Sequence, residues 1–399
     1  MIRISKRKNS LHITPGRLVM INNHIKLTIA LLLLCLFGVL GKAQAESTIV
    51  ASKESFYKAR ILDVPEQGEI NAFGLVNPFQ TVRLLILEGD LNGKELTLEH
   101  GKNYNIDKNQ LVSVGQTVVV SALKNPDGTS SYQIVDVYRL DQVSSLIIIF
   151  FVGIVLLSGF RGLGAIAGML VSLGVIVLFI IPQLLLGKDP LMVSITGCFI
   201  IMVLTIYLAH GVSKQTTLAL ISTFISLVFT GLLATFAVHI AHLTGLGNEE
   251  AYGLKLGPTS VINLRGLLLG GILIGTLGVL DDVTTGLTSS VFELAKANPK
   301  LTFSRLLSSG LTIGREHITS LVNTLVLAYA GASMPVFLTI LVNPNQVPLW
   351  VIFNSEIIME EVVRTLSGSI GLVLAVPLSA FLASYYVTRK QMTHGKGSS

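Results

Sequence analysis

Seven long apolar runs fill most of the chain after residue 142, and each has the length of a helix that crosses a bilayer. A helix needs roughly 20 apolar residues to cross a hydrocarbon layer of about 30 Å. The runs lie near residues 143–160, 162–182, 190–210, 218–243, 264–294, 318–342 and 356–387. The hydrophobic pattern therefore predicts a polytopic α-helical membrane protein with about seven spans.

Residues 46–142 instead alternate polar and apolar positions, as strands with one buried face do. The segments "TVRLLILEGD" and "KELTLEH" flank Asn92-Gly93, a dipeptide typical of hairpin turns. Further strands are predicted in "SFYKARILDV", "LVSVGQTVVVSAL" and "SSYQIVDVYRL". Five short strands are enough for a small barrel of OB-like size. We therefore predict a small all-β domain, which we interpret as an adaptor or partner-binding module.

Residues 1–45 have the features of a secretory signal. A basic stretch without acids precedes the apolar residues 27–40, and Ala43-Gln44-Ala45 before Glu46 matches an A-x-A cleavage site. The segment is either a cleaved signal peptide or an uncleaved signal-anchor helix. Both alternatives place the β domain outside the cell.

The charge distribution supports a membrane topology. Only 13% of the 399 residues are charged, against about 25% in soluble domains. The net charge of +6 comes largely from the basic N-terminus and from loops, which argues against a nucleic-acid surface. With residues 46–142 outside, the transmembrane domain covers 143–390 and the tail 391–399 is cytoplasmic. The predicted cytoplasmic loops then carry most of the basic residues, in agreement with the positive-inside rule, whereas the outer loops hold chiefly Lys188 and Lys255.

Two adjacent carboxylates, Asp281 and Asp282, interrupt the fifth apolar run. An ionised Asp at the centre of a bilayer costs about 2.5–3.5 kcal/mol on insertion scales. If the continuation through "VTTGLTSS" is embedded in the membrane, the aspartates lie near mid-depth; if the membrane span stops at Leu280, they cap its cytoplasmic end. A carboxylate at a helix C-terminus opposes the macrodipole, which favours the first alternative.

Small and polar residues around this run complete the candidate site. Glycine spacing in the same run allows close helix packing, through Gly271, Gly275 and Gly278. Asn323 and Thr324 lie in the next run. In the last run Glu360 and Arg364 are four residues apart, and Glu361 is three before Arg364. These groups form either a polar network that supports the aspartates or a surface salt bridge worth under about 1 kcal/mol.

Other chemistry has weaker support. Cys35 and Cys198 both fall in apolar runs, so a disulfide framework and a cysteine metal site are excluded. His239 and His242 precede acidic residues, but imidazoles near a helix end are more often structural, and we expect neither a metal nor a cofactor. No G-x-S-x-G, H-E-x-x-H or P-loop motif is present. Adjacent aspartates on one helix also do not face each other as in an aspartyl protease. We expect no catalytic residues and no enzyme.

The blocks "GTLGVLDDVT" and "LTIGREHITSLVNTLVLAYAGASMP", with the signal, the outer domain and the span layout, resemble the YibE/F-like membrane proteins, a bacterial group without an established function. Residues 264–387 also distantly resemble the aspartate-bearing helices of resistance–nodulation–division transporters and SecD/SecF. Three features are shared. A run of small residues leads into Asp281-Asp282, the next apolar run contains Asn323-Thr324-Leu325, and the last run begins with an acidic residue and leads to Pro377. The resemblance implies a bacterial plasma membrane protein coupled to the proton gradient.

Two functions are compatible with these features. The first is a transporter or exporter of an unknown solute, driven by protons that Asp281 and Asp282 share and relay. The alternative is a non-transporting accessory subunit that assists protein export or assembly through the β domain. The partners expected are the lipid bilayer, the solute, and a second copy or paired membrane subunit that the glycine surfaces would suit; nucleic acid is not expected.

Overall fold

The computed structural model describes residues 55–72, 75–124, 129–247, 249–256, 262–342 and 347–395. The chain divides into two compact units, one containing the strands up to Gly153 and one containing the helices from Ile154 onward. The predicted signal in residues 1–45 and the last four residues of the tail lie outside the described residues.

The first unit is a five-stranded antiparallel sheet in the order β3-β2-β1-β4-β5. All five predicted strands are confirmed, and Gly93 has the positive φ of 82° that its turn requires. The outer strands β3 and β5 also approach each other, so the sheet curls into a half-barrel; an OB-like fold stays a prediction. The strands are β1 (Ser55–Ala72), β2 (Leu75–Ile86), β3 (Glu95–His100), β4 (Thr117–Lys124) and β5 (Ser130–Val137).

Strand β1 extends well past the point at which its sequence pattern ends. Pro65 lacks an N–H and would interrupt a regular ladder. Register shifts between Ile61 and Asp63 and between Asp63 and Glu66 accommodate it, and pairing with β2 continues to Ala72. The first part of β1 pairs with β4 and the remainder with β2, so β1 is the central strand.

Buried polar side chains fix the long connection between β3 and β4. Gln80 accepts the Val112 N–H at 2.8 Å and donates to the Val112 carbonyl at 3.0 Å. His100, only 4% exposed, contacts the Tyr104 hydroxyl at 2.7 Å and the Gln110 carbonyl at 3.0 Å. These bonds satisfy backbone groups that a connection without strand partners would otherwise bury unpaired.

The second unit is helical and begins within the helix Leu140–Ser158, most of which belongs to the first unit. Among the described residues, six helices are long and apolar enough to cross a membrane, and each agrees within a few residues with a predicted span. The helices are α1 (Leu140–Ser158), α2 (Phe160–Val175), α3 (Ile181–Leu185), α4 (Pro190–His210), α5 (Lys214–Ile240), α6 (Glu249–Leu256), α7 (Leu264–Ala297), α8 (Phe303–Ala332), α9 (Met334–Val342), α10 (Leu349–Phe353) and α11 (Glu356–Gly395). A π-helical turn, Ile176–Ile180, joins α2 to α3.

The remaining predicted span, residues 318–342, is divided between two helices. Helix α8 starts fifteen residues earlier than that run, at Phe303, and ends at Ala332, and α9 resumes at Met334. Pro335 has no N–H for a continuous helical ladder, which accounts for a break at Ser333. Neither α8 nor α9 is among the six membrane-spanning candidates, so a seventh span stays a prediction.

Helix α7 is the centre of the bundle and contacts α4, α5, α8 and α11. One side of its middle packs Leu273, Leu277 and Leu280 against Met202 and Ile206 of α4. The following turns pack Val283 and Leu287 against α8 and α11. Apolar neighbours therefore surround the helix along most of its length.

Candidate functional site

The two aspartates lie in the middle of α7. Asp281 is the 18th of its 34 residues, and a helix of this length extends about 51 Å. The Asn263 side chain accepts the Gly266 N–H at the start, and the helix ends only at Ala297. The helix therefore continues past Leu280 for more than four further turns, and the membrane depth of the aspartates stays a prediction.

The environments of the two carboxylates differ. Asp281 is half-buried, and its Oδ1 is removed from solvent without a hydrogen-bond partner among the described residues. Asp282 lies on the adjacent exposed face. The Asp281 main-chain carbonyl accepts the hydroxyls of Thr284 at 3.3 Å and Thr285 at 2.7 Å. These threonines satisfy the backbone near Asp281 but leave its carboxylate oxygen unpaired.

Helices α5 and α7 both carry fully buried hydroxyl groups in the middle of the bundle. The Thr223 and Thr284 hydroxyls are 2.5 Å apart and join the two helices. The hydroxyls of Ser226 and Thr288 are buried without partners in the described part of the chain. We call this set the hydroxyl seam: Thr223, Ser226, Thr230, Thr284 and Thr288, all fully buried.

The α5 half of the hydroxyl seam was missed from the sequence. Its signal was available, because Thr223, Ser226 and Thr230 recur at intervals of three and four within an apolar run and so share one helix face. The partner helix was not predictable from that spacing. Only the packing of the bundle brings Thr223 against Thr284 of α7 and Thr230 against Gly371 of α11.

The predicted supporting residues are not gathered around Asp281. Asn323 and Thr324 are exposed on α8, and the Thr324 hydroxyl donates to the Ser320 carbonyl at 3.0 Å. Arg364 lies beside Gly271, ten residues or about 15 Å along α7 from Asp281. Its guanidinium pairs with Glu361 at 3.5 Å, and its Nε is buried without a partner among the described residues.

The acids at the start of α11 instead hold a loop. Glu356 accepts the Thr244 hydroxyl at 2.7 Å and the backbone N–H groups of Thr244, Gly245 and Leu246. Glu360, only 4% exposed, accepts the Gly247 N–H at 3.0 Å. Gly245 has a φ of +86° and lies against the Leu264 carbonyl, where a side chain would not fit. Carboxylates that accept several backbone N–H groups form strong, charge-assisted bonds, so they fix this loop on α11.

A cavity of about 340 Å³, lined in part by charged side chains, lies near this loop. We call it the glutamate–arginine cavity. Its polar lining comes from Glu250, Glu360 and Arg364, with Ser194 of α4. Apolar walls come from the π-helical turn and α7, including Ile176, Ile180 and Ile274. π-Helical turns occur frequently at functional sites.

A second, smaller cavity of about 190 Å³ lies near Asp282 on the C-terminal side of α7. We call it the histidine cavity. His210 at the end of α4 interacts electrostatically with Asp282. The rest of the lining is small or polar: Gln215, Thr216, Ala219, Thr285, Gly286 and Ser289.

The three glycines predicted to pack against other helices differ in how closely their neighbours approach. A Cβ at Gly275 would lie 3.2 Å from the Tyr329 hydroxyl, and one at Gly271 would lie 3.8 Å from the Arg364 guanidinium. A Cβ at Gly278 would meet nothing within 4 Å. A closer approach involves Gly371 of α11, which the sequence places in a stretch of small residues suited to a neighbouring helix and whose added Cβ would overlap the Thr230 hydroxyl.

Among the described residues, six helices are long and apolar enough to cross a membrane, which indicates a multi-spanning membrane protein. Residues 146–389, more than half of the chain, match the family described as YibE/F-like protein, and the chain belongs to this family. Comparison with curated proteins and comparison with solved structures each give no significant match. The more distant resemblance to resistance–nodulation–division transporters and SecD/SecF stays a prediction.

Proposed function

We propose that this protein is a proton-coupled membrane transporter in which Asp281 binds the proton. The observation that carries the proposal is the unpaired, solvent-shielded Oδ1 of Asp281 in the middle of the central helix. An ionised carboxylate without a partner in apolar surroundings is costly, and protonation removes that cost. A carboxylate that is alternately protonated and ionised during function is expected in this position, whereas a carboxylate with a purely structural role would be paired.

The two cavities give the proposed transporter its access routes. The glutamate–arginine cavity contacts α7 near Gly270 and Gly271, and the histidine cavity contacts it near Thr285 and Gly286. Asp281 lies between these levels, and Asp282 is adjacent to the second. On the topology predicted from the sequence, the first cavity opens outward and the second toward the cytoplasm. A central ion-binding group between two opposed cavities suits alternating access.

In this scheme protons reach Asp281 through Asp282 and the histidine cavity, while the solute occupies the glutamate–arginine cavity. The membrane field contributes about 2.3 kcal/mol per charge for every 100 mV. That amount is sufficient to bias two packings of α7 that differ by a few kcal/mol.

The test compares Asp281→Asn with wild-type protein purified into lipid vesicles. Proton binding is measured by pH titration of the carboxyl infrared band, and an imposed pH gradient is used to drive uptake from a mixture of small solutes, identified by mass spectrometry. The matched control is Glu293→Gln, which neutralises an exposed acid on the same helix. We expect Asp281→Asn to lose one proton-binding group and gradient-driven uptake, and the control to keep both.

Two outcomes would contradict the proposal. In one, Asp281→Asn takes up the same solutes as wild type at the same gradient. In the other, wild-type protein shows no carboxyl titration that Asp281→Asn removes. The accessory-subunit alternative makes the opposite prediction, because it tolerates the loss of Asp281 and depends on the β domain instead.

A further inference from the structure

A basic cavity lies at one end of the bundle, where α5 begins and where α7 and α11 end. Its volume is about 510 Å³, and its cationic lining comes from Lys214, Lys296 and Lys390. These lysines stand at or next to the ends of three membrane-spanning candidates: Lys214–Ile240, Leu264–Ala297 and Glu356–Lys390. Three helices that are far apart in sequence therefore bring lysines to one place.

The floor of this basic cavity is apolar and aromatic. Phe292 of α7 and Tyr386 of α11 stack with ring centroids 6.1 Å apart and an interplanar angle of 18°. Ala295, only 5% exposed, and the half-buried Val387 complete the floor. All three lysines are exposed above it. The cavity thus has two chemically different parts, a cationic rim and a hydrophobic base.

The charge of the lining has one sign. Among the described residues that line the cavity, three are basic and none is acidic. Glu293 pairs with Lys296 from outside this lining. A ligand that fits must be anionic where it meets the rim.

We propose that this cavity binds the phosphate-bearing head group of an anionic membrane phospholipid. The lysines contact the phosphate, and the glycerol and the first carbons of an acyl chain lie on Phe292 and Tyr386. A free phosphate would use only the rim, whereas a lipid uses both parts of the cavity. Basic pockets between membrane helices bind lipid head groups in this way, and on the predicted topology this end faces the cytoplasmic leaflet, where anionic lipids lie.

The experiment is a lipid titration of the full-length purified protein followed by native mass spectrometry. The probes are phosphatidylglycerol, phosphatidylcholine and inorganic phosphate, each added separately and in competition. A lysine near the membrane contributes about 1 kcal/mol of attraction, or about fivefold in affinity. We therefore expect wild type to prefer phosphatidylglycerol, and Lys214→Gln, Lys296→Gln and Lys390→Gln each to reduce that preference about fivefold.

Two further variants separate charge recognition from misfolding. The triple Lys→Arg variant keeps the positive charge and is expected to keep the preference. The double variant Lys188→Gln and Lys255→Gln, which neutralises lysines outside this cavity, is expected to behave as wild type. An unchanged preference in all three single Lys→Gln variants would overturn the proposal. Displacement of phosphatidylglycerol by an equal concentration of inorganic phosphate would overturn the assignment to a lipid.

Discussion

Replacing Gly371 with alanine tests how closely α11 packs on α5. An added Cβ would overlap the Thr230 hydroxyl and lie 3.2 Å from the Thr230 Cβ. Thr230 is fully buried, and its hydroxyl donates to the Ser226 carbonyl at 2.8 Å, so it has little room to move. Relief of the overlap requires a shift of one helix against the other.

The magnitude follows from two opposing effects. Overpacking a close contact costs about 1–3 kcal/mol, and the overlap at Gly371 points to the upper half of that range. Alanine also gains about 1 kcal/mol over glycine in a helix interior. The net expectation is a destabilisation of about 1–2 kcal/mol for Gly371→Ala. Gly278→Ala is the matched control, because its Cβ would meet nothing within 4 Å.

The assay is equilibrium unfolding of the purified protein in mixed detergent micelles. Both variants gain the same helix propensity. The difference between their free energies of unfolding, about 2–3 kcal/mol, therefore measures the steric overlap alone. Adding Thr230→Ala to Gly371→Ala removes the overlapping hydroxyl and should restore much of the lost stability. Equal stability of Gly371→Ala and Gly278→Ala would refute the close approach of α11 and α5.

Two further predictions concern the loop and the β unit. Glu356→Gln should weaken the charge-assisted bonds to residues 244–246 by about 1 kcal/mol and speed their hydrogen exchange about fivefold; unchanged exchange, or the same effect in Glu361→Gln, would contradict the assigned contacts. Burial lowers the pKa of His100 below its ordinary value of 6.5. The unfolded chain then binds more protons as the pH falls below 6.5, so the β unit should lose stability there. Hydrogen exchange of its strands, corrected for intrinsic rates, should show this loss in wild type and not in His100→Gln.

Features set by local periodicity were predictable, and features set by distant contacts were not. The six spans and five strands follow from hydrophobic repeats that need no partner to be recognised. The extension of β1 past Pro65 depends on register shifts against β2, which no local pattern encodes. The spacing of Glu356 and Glu360 predicts that they share one face of a helix. Their hydrogen-bond donors, however, are backbone N–H groups of a loop more than a hundred residues earlier, which the spacing does not indicate.

The aspartate couplet shows why the site itself was only partly predictable. Its residue types and its place in an apolar run indicated an unusual carboxylate, and the helix that carries it is continuous to Ala297. Adjacent residues on a helix point about 100° apart, which is consistent with a shielded Oδ1 on Asp281 and an exposed Asp282. This asymmetry argues against two equivalent carboxylates that share a proton. It favours one shielded binding group, Asp281, supplied through an accessible neighbour, Asp282.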